Sequence, residues 1–265
     1  MDFFQAFWLA VIQGFTEFLP VSSSGHLALV PSIFGWTDQG LAFDVSVHVG
    51  TLLAALSYFR GDLKLILRDW VVSVTGGDST AYSKQAWSII FASVPVGVVG
   101  LLFESVISSI FRSPVCIALA TIGFGIVLWL ADRLGKRQRD VGEITWKDVL
   151  IIGLVQVLAL IPGTSRSGVT ISAGLAMGLT RQAAARFSFL LAIPVIFMAG
   201  LWQVLKMASG LEAVNWSILI FGSMTSALVA FVCIHFFLRY LERFSLMPFV
   251  IYRLALGIIL LAMFM

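Results

Sequence analysis

Glu17, Ser22, Ser23, Ser24 and His26 crowd around Pro20, and Ser165, Arg166, Ser167 and Thr170 follow directly on Pro162, Gly163 and Thr164. Gln13 and Glu17 stand four apart and share one face of a helix. Ser22 and Ser23 lie four and three positions before His26, so a helix would bring either hydroxyl within reach of the imidazole. A hydroxyl beside an imidazole is the minimum for an activated nucleophile or for protonating a leaving group. In the second cluster, amides at a helix start favour anions and Arg166 adds a bidentate partner for phosphate. Thr170, four residues on, extends the same polar face. No Gly-Lys-Ser/Thr follows, so this is not a Walker loop. The plainer alternatives are serines that only cap helices and an Arg166 that serves as structural partner to Glu17. As one inventory the residues suit a diphosphate with a divalent metal: carboxylate for the cation, Arg and amides for phosphoryl oxygens, Ser and His for the displacement.

The elements that must position these groups lie in lipid. Of 265 residues, 59% are hydrophobic and only 12% charged, with a mean hydropathy of +0.99, more apolar surface than a water-soluble domain can hide. The formal charge of +3 does not point to nucleic acid, because the basic residues sit in short connections between apolar runs. Six runs, about 42–59, 86–103, 115–132, 187–206, 216–236 and 249–265, each approach the length of a spanning helix. Loops at 60–84, 133–147 and 239–243 carry most of the Lys and Arg, whereas the alternate loops hold only Arg112 and Lys206. That bias places the three basic connections in the cytoplasm and both termini outside. Asp2 replaces a basic leader region, so no cleaved signal peptide is expected. Cys116 and Cys233 fall inside apolar runs and read as buried thiols.

Two further apolar segments, about 3–35 and 146–180, read as helix, break, helix. Neither half alone crosses a core of about 30 Å, so both are expected to be re-entrant hairpins. They look like one sentence written twice, each with a Gln twelve positions before a Gly and a Pro ahead of clustered hydroxyls. The pattern continues: Trp87-Ser-Ile-Ile matches Trp216-Ser-Ile-Leu, and Ser113-Pro114 matches Met247-Pro248. The expected fold is an all-α polytopic membrane protein, one domain over 1–265, with six transmembrane helices and two re-entrant helical hairpins. Its halves, 1–132 and 146–265, form an inverted repeat, because three spans per half is odd. The hairpin tips should then meet near the bilayer midplane.

Glu17-Phe-Leu-Pro20-Val-Ser-Ser-Ser-Gly25-His26 and Pro162-Gly163-Thr-Ser165-Arg166-Ser167-Gly-Val-Thr170 resemble the two signature motifs of the undecaprenyl-pyrophosphate phosphatase, or bacitracin-resistance, family. The similarity covers essentially the whole chain. It implies a bacterial inner-membrane phosphatase that converts undecaprenyl diphosphate to undecaprenyl phosphate, recycling the carrier for peptidoglycan. It implies a Mg2+ or Ca2+ requirement. The orientation set by the basic loops predicts that the first hairpin enters from outside, giving an extracytoplasmic active-site mouth. By the resemblance, Glu17 handles the metal or polarises water, Ser23 is the proposed nucleophile, His26 the catalytic histidine, and Arg166 the diphosphate clamp. Ser22, Ser24, Gly163, Thr164, Ser165, Ser167 and Thr170 surround the substrate. Many members carry a second Glu where this chain has Gln13, which can ligate a metal through its carbonyl with one charge fewer. Ser23, His26 and water all stand as the attacking group. The implied partners are a polyprenyl diphosphate and membrane lipids, with a homodimer as an option and no nucleic acid.

Asp44 and His48, four apart at the start of the first span, either line the cavity or pair with each other. Architecture alone also admits a secondary transporter or lipid flippase, since inverted repeats with broken midplane helices are common there. A translocation site needs reversible ligands and no nucleophile beside a base, which separates the two readings.

Overall fold

The computed structural model describes residues 1–111, 113–207 and 215–264, apart from the side chains of residues 32, 104–106, 108, 109 and 207. Arg112, counted above among the loop charges, lies outside that set. The chain is helical: α1 (Phe3–Thr16), α2 (Ser23–Phe34), α3 (Gly40–Tyr58), α4 (Arg60–Val74), α5 (Ala81–Ile110), α6 (Pro114–Leu134), α7 (Trp146–Gln156), α8 (Arg166–Ala176), α9 (Arg181–Met207), α10 (Trp216–Leu241) and α11 (Met247–Phe264). Six helices, α3, α5, α6, α9, α10 and α11, are long and apolar enough to cross a membrane. Each overlaps its expected run, with the largest differences at α5, which ends at Ile110 rather than 103, and α9, which starts at Arg181 rather than 187. The stop signals are chemical: Ser113 caps α6 through the amide of Cys116, with Pro114 in the first turn.

One expected loop is a helix. Basic residues dominate 60–84 in a charge count, yet Leu63, Ile66, Leu67 and Trp70 recur at helical spacing between them. In α4, Ile66 is buried and Leu63 and Trp70 pack on the main core. The segment therefore lies as an amphipathic helix between α3 and α5.

Helices close on one another through small residues, the usual contact in lipid, where tails compete for apolar surface. Gly50 of α3 presses on the Ser223 carbonyl and the Ser226 hydroxyl of α10, and Gly222 of α10 meets the ring of Phe43. Ser226 Oγ also donates to the Val47 carbonyl at 2.9 Å. The ends are pinned by ion pairs: Arg181 with Asp132 at 2.5 Å, Arg139 with Asp148 at 2.6 Å, and Arg186 with Asp62 at 2.7 Å.

The two broken segments share their geometry. Gln13 and Gln156 are both fully buried near the ends of α1 and α7. α7 stops at Gln156 and tightens into a 3-10 turn over Val157–Leu160. The second leg of each begins behind a serine with positive φ, Ser22 at 74° and Ser165 at 72°. Ser22 is thus the residue before α2 rather than its first turn. Non-glycine residues seldom adopt this conformation, and they cluster where surrounding structure dictates the backbone.

Candidate active site

Glu17 stands at the C-terminal cap of α1, where the helix gives way to the turns before Ser22. Its carboxylate is only 8% exposed and is surrounded by donors. Arg166 Nη2 donates to Oε1 at 3.0 Å. Ser23 Oγ donates to Oε2 at 2.6 Å and Gln13 Nε2 donates to the same oxygen at 3.0 Å. The four side chains come from both sequence clusters, so the broken segments do meet. Burial of a charge is tolerated only with such partners.

Arg166 is the first residue of α8, held from behind. Nη1 donates to the Ser188 carbonyl of α9 at 3.1 Å, and the guanidinium lies 5.9 Å from the centre of the Phe18 ring. Thr170 Oγ shares a hydrogen bond with Ser188 Oγ at 2.7 Å, one turn behind Arg166. Ser165 Oγ caps the amide of Gly168, and Ser167 Oγ reaches across to the Leu19 carbonyl at 2.8 Å.

A cavity of about 400 Å³ opens onto this cluster, lined by Glu17, Ser23, Ser24, Asp44, His48, Ser165 and Arg166 on its polar side. Apolar residues of α3, α5 and α9, among them Val45, Val96 and Ile196, complete the wall. Of the residues expected around the substrate, Ser24 and Ser165 face the cavity. Ser22, Gly163, Thr164, Ser167 and Thr170 lie outside its lining; of these, Ser167 bonds across to the other tip at Leu19, and Thr170 bonds Ser188 of α9. The hydroxyls of Ser22 and Thr164 are buried without a hydrogen-bond partner.

His26 takes a different direction from the one its spacing allows. Nδ1 donates to the Ser22 carbonyl at 2.7 Å, and Nε2 meets the Tyr252 hydroxyl at 2.5 Å. The imidazole therefore joins α2 to α11, and Ser23 finds Glu17 instead. The imidazole nearest the carboxylate is His48, whose Nε2 is 3.7 Å from Glu17 Oε2. Its Nδ1 donates to the Asp44 carbonyl at 2.7 Å, while the Asp44 carboxylate accepts from Gln39 at 2.8 Å. Asp44 and His48 thus line the cavity and do not pair side chain to side chain.

The residue that sequence reading passed over is Arg253, fully buried in α11. It donates to the carbonyls of Pro20 (3.2 Å), Thr121 (3.2 Å), Gly163 (2.9 Å) and Thr164 (3.0 Å). Pro20 belongs to one tip and Gly163 and Thr164 to the other, so one guanidinium clasps both. Gly163 adopts φ +89° and sits hard against the Ile117 carbonyl, so a side chain there would clash. The missed signal was an arginine inside the last apolar run, an expensive placement that asks for a partner.

On the cavity wall the oxygen donors for a hard cation are Glu17 and Asp44; Gln13, beside Glu17, lies outside that lining, with its Oε1 buried and without a hydrogen-bond partner. Among the described residues no group of three or more His, Cys, Asp or Glu side chains could hold a metal ion alone. That donor set suits a cation that takes most of its ligands from phosphate and water, as Mg2+ does.

The whole chain has close relatives. Undecaprenyl-diphosphatase of Nitrosococcus oceani is 52% identical over 264 residues, covering 100% of both chains. Undecaprenyl-diphosphatase 2 of Stutzerimonas stutzeri is also 52% identical, over 100% of this chain and 99% of its own. Undecaprenyl-diphosphatase of Thioalkalivibrio sulfidiphilus is 51% identical with 100% of both covered. The family model described as bacitracin resistance protein BacA matches residues 6–259, both serine-rich tips included. This chain belongs to the bacitracin resistance protein BacA family.

Proposed function

We infer that this protein is an integral membrane phosphatase that hydrolyses undecaprenyl diphosphate to undecaprenyl phosphate and inorganic phosphate. The observation that carries the reading is the convergence of Glu17, Ser23 and Arg166 on one cavity, in a chain half identical to relatives named for that reaction. Release of the carrier for envelope synthesis, and bacitracin resistance, follow from that activity. The transporter alternative finds no support in the names of those relatives.

In the reading we favour, Ser23 Oγ attacks the terminal phosphorus. A serine oxygen–phosphorus bond forms, the bridging phosphorus–oxygen bond breaks, and undecaprenyl phosphate leaves. Glu17, already accepting the Ser23 proton at 2.6 Å, takes it as the bond forms. Water then cleaves the phosphoserine, Ser23 recovers its proton, and inorganic phosphate departs. Arg166 exchanges its contact with Glu17 for phosphoryl oxygens while its bond to the Ser188 carbonyl fixes its direction. His26 positions α2 rather than attacking, since both ring nitrogens are engaged. A bound Mg2+ or Ca2+, held by Glu17 with Asp44 and Gln13 beside it, would neutralise phosphoryl charge.

We read the broken segments as re-entrant hairpins and the halves 1–132 and 146–265 as an inverted repeat, which would set the site at mid-membrane. Gly200 and Gln203, on the cavity wall, lie toward the end of α9 opposite its basic start at Arg181. That supports an extracytoplasmic mouth in the bacterial inner membrane. The test is phosphate release from undecaprenyl diphosphate by purified protein, with and without chelator. Metal-dependent release is expected, and its absence would overturn the reading.

A further inference from the structure

Beside the polar cavity lies a second space of about 390 Å³ between α5 and α9. The two are continuous: Val96, Leu160, Val195, Ala199 and Gln203 line both. The remaining wall of the second space is apolar, and Leu101, Met198, Leu201 and Leu205 on its rim are exposed on the outer surface of the bundle. One end of the combined space is therefore a carboxylate, a serine and a guanidinium. The other is a greasy slot open to lipid.

The opening is built by absent side chains. Where α3 and α10 pack, an added Cβ at Gly50 or Gly222 would collide with the facing helix. At Gly97 the nearest atoms to an added Cβ are the flexible end of Met198, 3.5 Å away, and at Gly100 the Leu160 side chain at 3.6 Å. Glycines that do not serve close helix contact leave a gap, and here the gap faces the site. Pro95 and Pro194 lie inside α5 and α9 at the inner end of the slot. Each lacks an amide, so the helical hydrogen-bond ladder loses one donor there.

We propose that the slot between α5 and α9 carries the first isoprene units of the substrate from the polar cavity out to the bilayer. This rests on the phosphatase reading above. The occupant is chosen by continuity: a molecule with its diphosphate at Arg166 must lead its tail somewhere dry, and this wall offers that. The slot spans roughly two helical turns, about 11 Å, enough for two or three isoprene units and indifferent to the rest of the chain.

The experiment uses farnesyl diphosphate bearing a diazirine on its last isoprene unit, with the full-length protein in detergent. Photolysis followed by peptide mapping should place adducts on 96–101 and 195–205, and unlabelled undecaprenyl diphosphate should remove them. Gly97→Leu and Gly100→Leu, which fill the slot, should reduce the adducts on the order of tenfold. Adducts on other helices, or on these helices but unaffected by undecaprenyl diphosphate as a membrane acyl-chain site would be, overturn the proposal even if phosphate is released. Phosphate release from undecaprenyl diphosphate by the unsubstituted protein reads the activity separately. If none is released, the phosphatase reading itself fails.

Discussion

Arg166 and Glu17, 149 residues apart, meet at 3.0 Å across the junction of the two broken segments. Neither is more than about a tenth exposed, so each is a countercharge that the other needs. Glu17→Gln keeps the shape while removing the base and the negative charge for a cation, and it turns one accepting oxygen into an amide donor. Arg166→Ala removes the only arginine that lines the cavity among the described residues and leaves a buried carboxylate short of a donor. Both should lower kcat/KM by about 10²–10³. Arg166→Ala should also destabilise the fold by about 3–5 kcal/mol, because breaking a buried pair strands a charge. Steady-state phosphate release and thermal unfolding separate the two effects.

Ser23 should behave as a nucleophile and His26 as a strut. Ser23→Ala is expected to lower kcat by about 10³ or more with KM little changed. His26 and Tyr252 share one hydrogen bond, so their substitutions should be strongly non-additive. The His26→Ala, Tyr252→Phe double variant should lose no more than His26→Ala alone. Additive losses in that double-mutant cycle would return His26 to the reacting centre.

Arg253 makes four hydrogen bonds to carbonyls and no ion pair among the described residues. Arg253→Met should cost about 3 kcal/mol or more, as several buried acceptors lose their donors together. Arg253→Lys keeps charge but not the fork and should rescue stability only in part. A purely catalytic role would leave the unfolding temperature of both variants unchanged.

Much of this was legible in the chain. The six spans follow from hydropathy alone, and the cost of buried charge pointed to Glu17 and Arg166 before any fold was known. Spacing could not say which way His26 turns, because a neighbouring backbone carbonyl competes with the hydroxyls for the same ring. Nor could it join Arg253 to tips far away in sequence, or bring His48 to Glu17. α4 was obscured because a charge count outweighs a short apolar stripe. Where helical spacing sets the outcome, sequence suffices; where tertiary packing chooses among reachable partners, it does not.

Outside the spans, Asp148 at the start of α7 gives a pH prediction. Burial works against its charge, yet donors from Arg139 and Thr145 outweigh it and hold the carboxyl below the ordinary aspartate range. A depressed acid stabilises the fold at pH above its unfolded value, about 3.9, and the contribution disappears as pH falls through the lower folded value. The melting temperature should therefore drop on acidification below about pH 4. Asp148→Asn should show a lower melting temperature at neutral pH and a smaller drop with acid. An unchanged acid profile in that variant would remove Asp148 from the explanation.

Phosphate release from undecaprenyl diphosphate, measured side by side for the unsubstituted protein, Glu17→Gln, Ser23→Ala and Arg166→Ala, bears most directly on the site described here. Metal-dependent release by the first and a loss of about a hundredfold or more in each variant, with folding retained in at least Glu17→Gln, is the expected result. Full activity in Glu17→Gln and Ser23→Ala would contradict it, because then the hydroxyl and carboxylate that meet at 2.6 Å take no part in breaking the diphosphate.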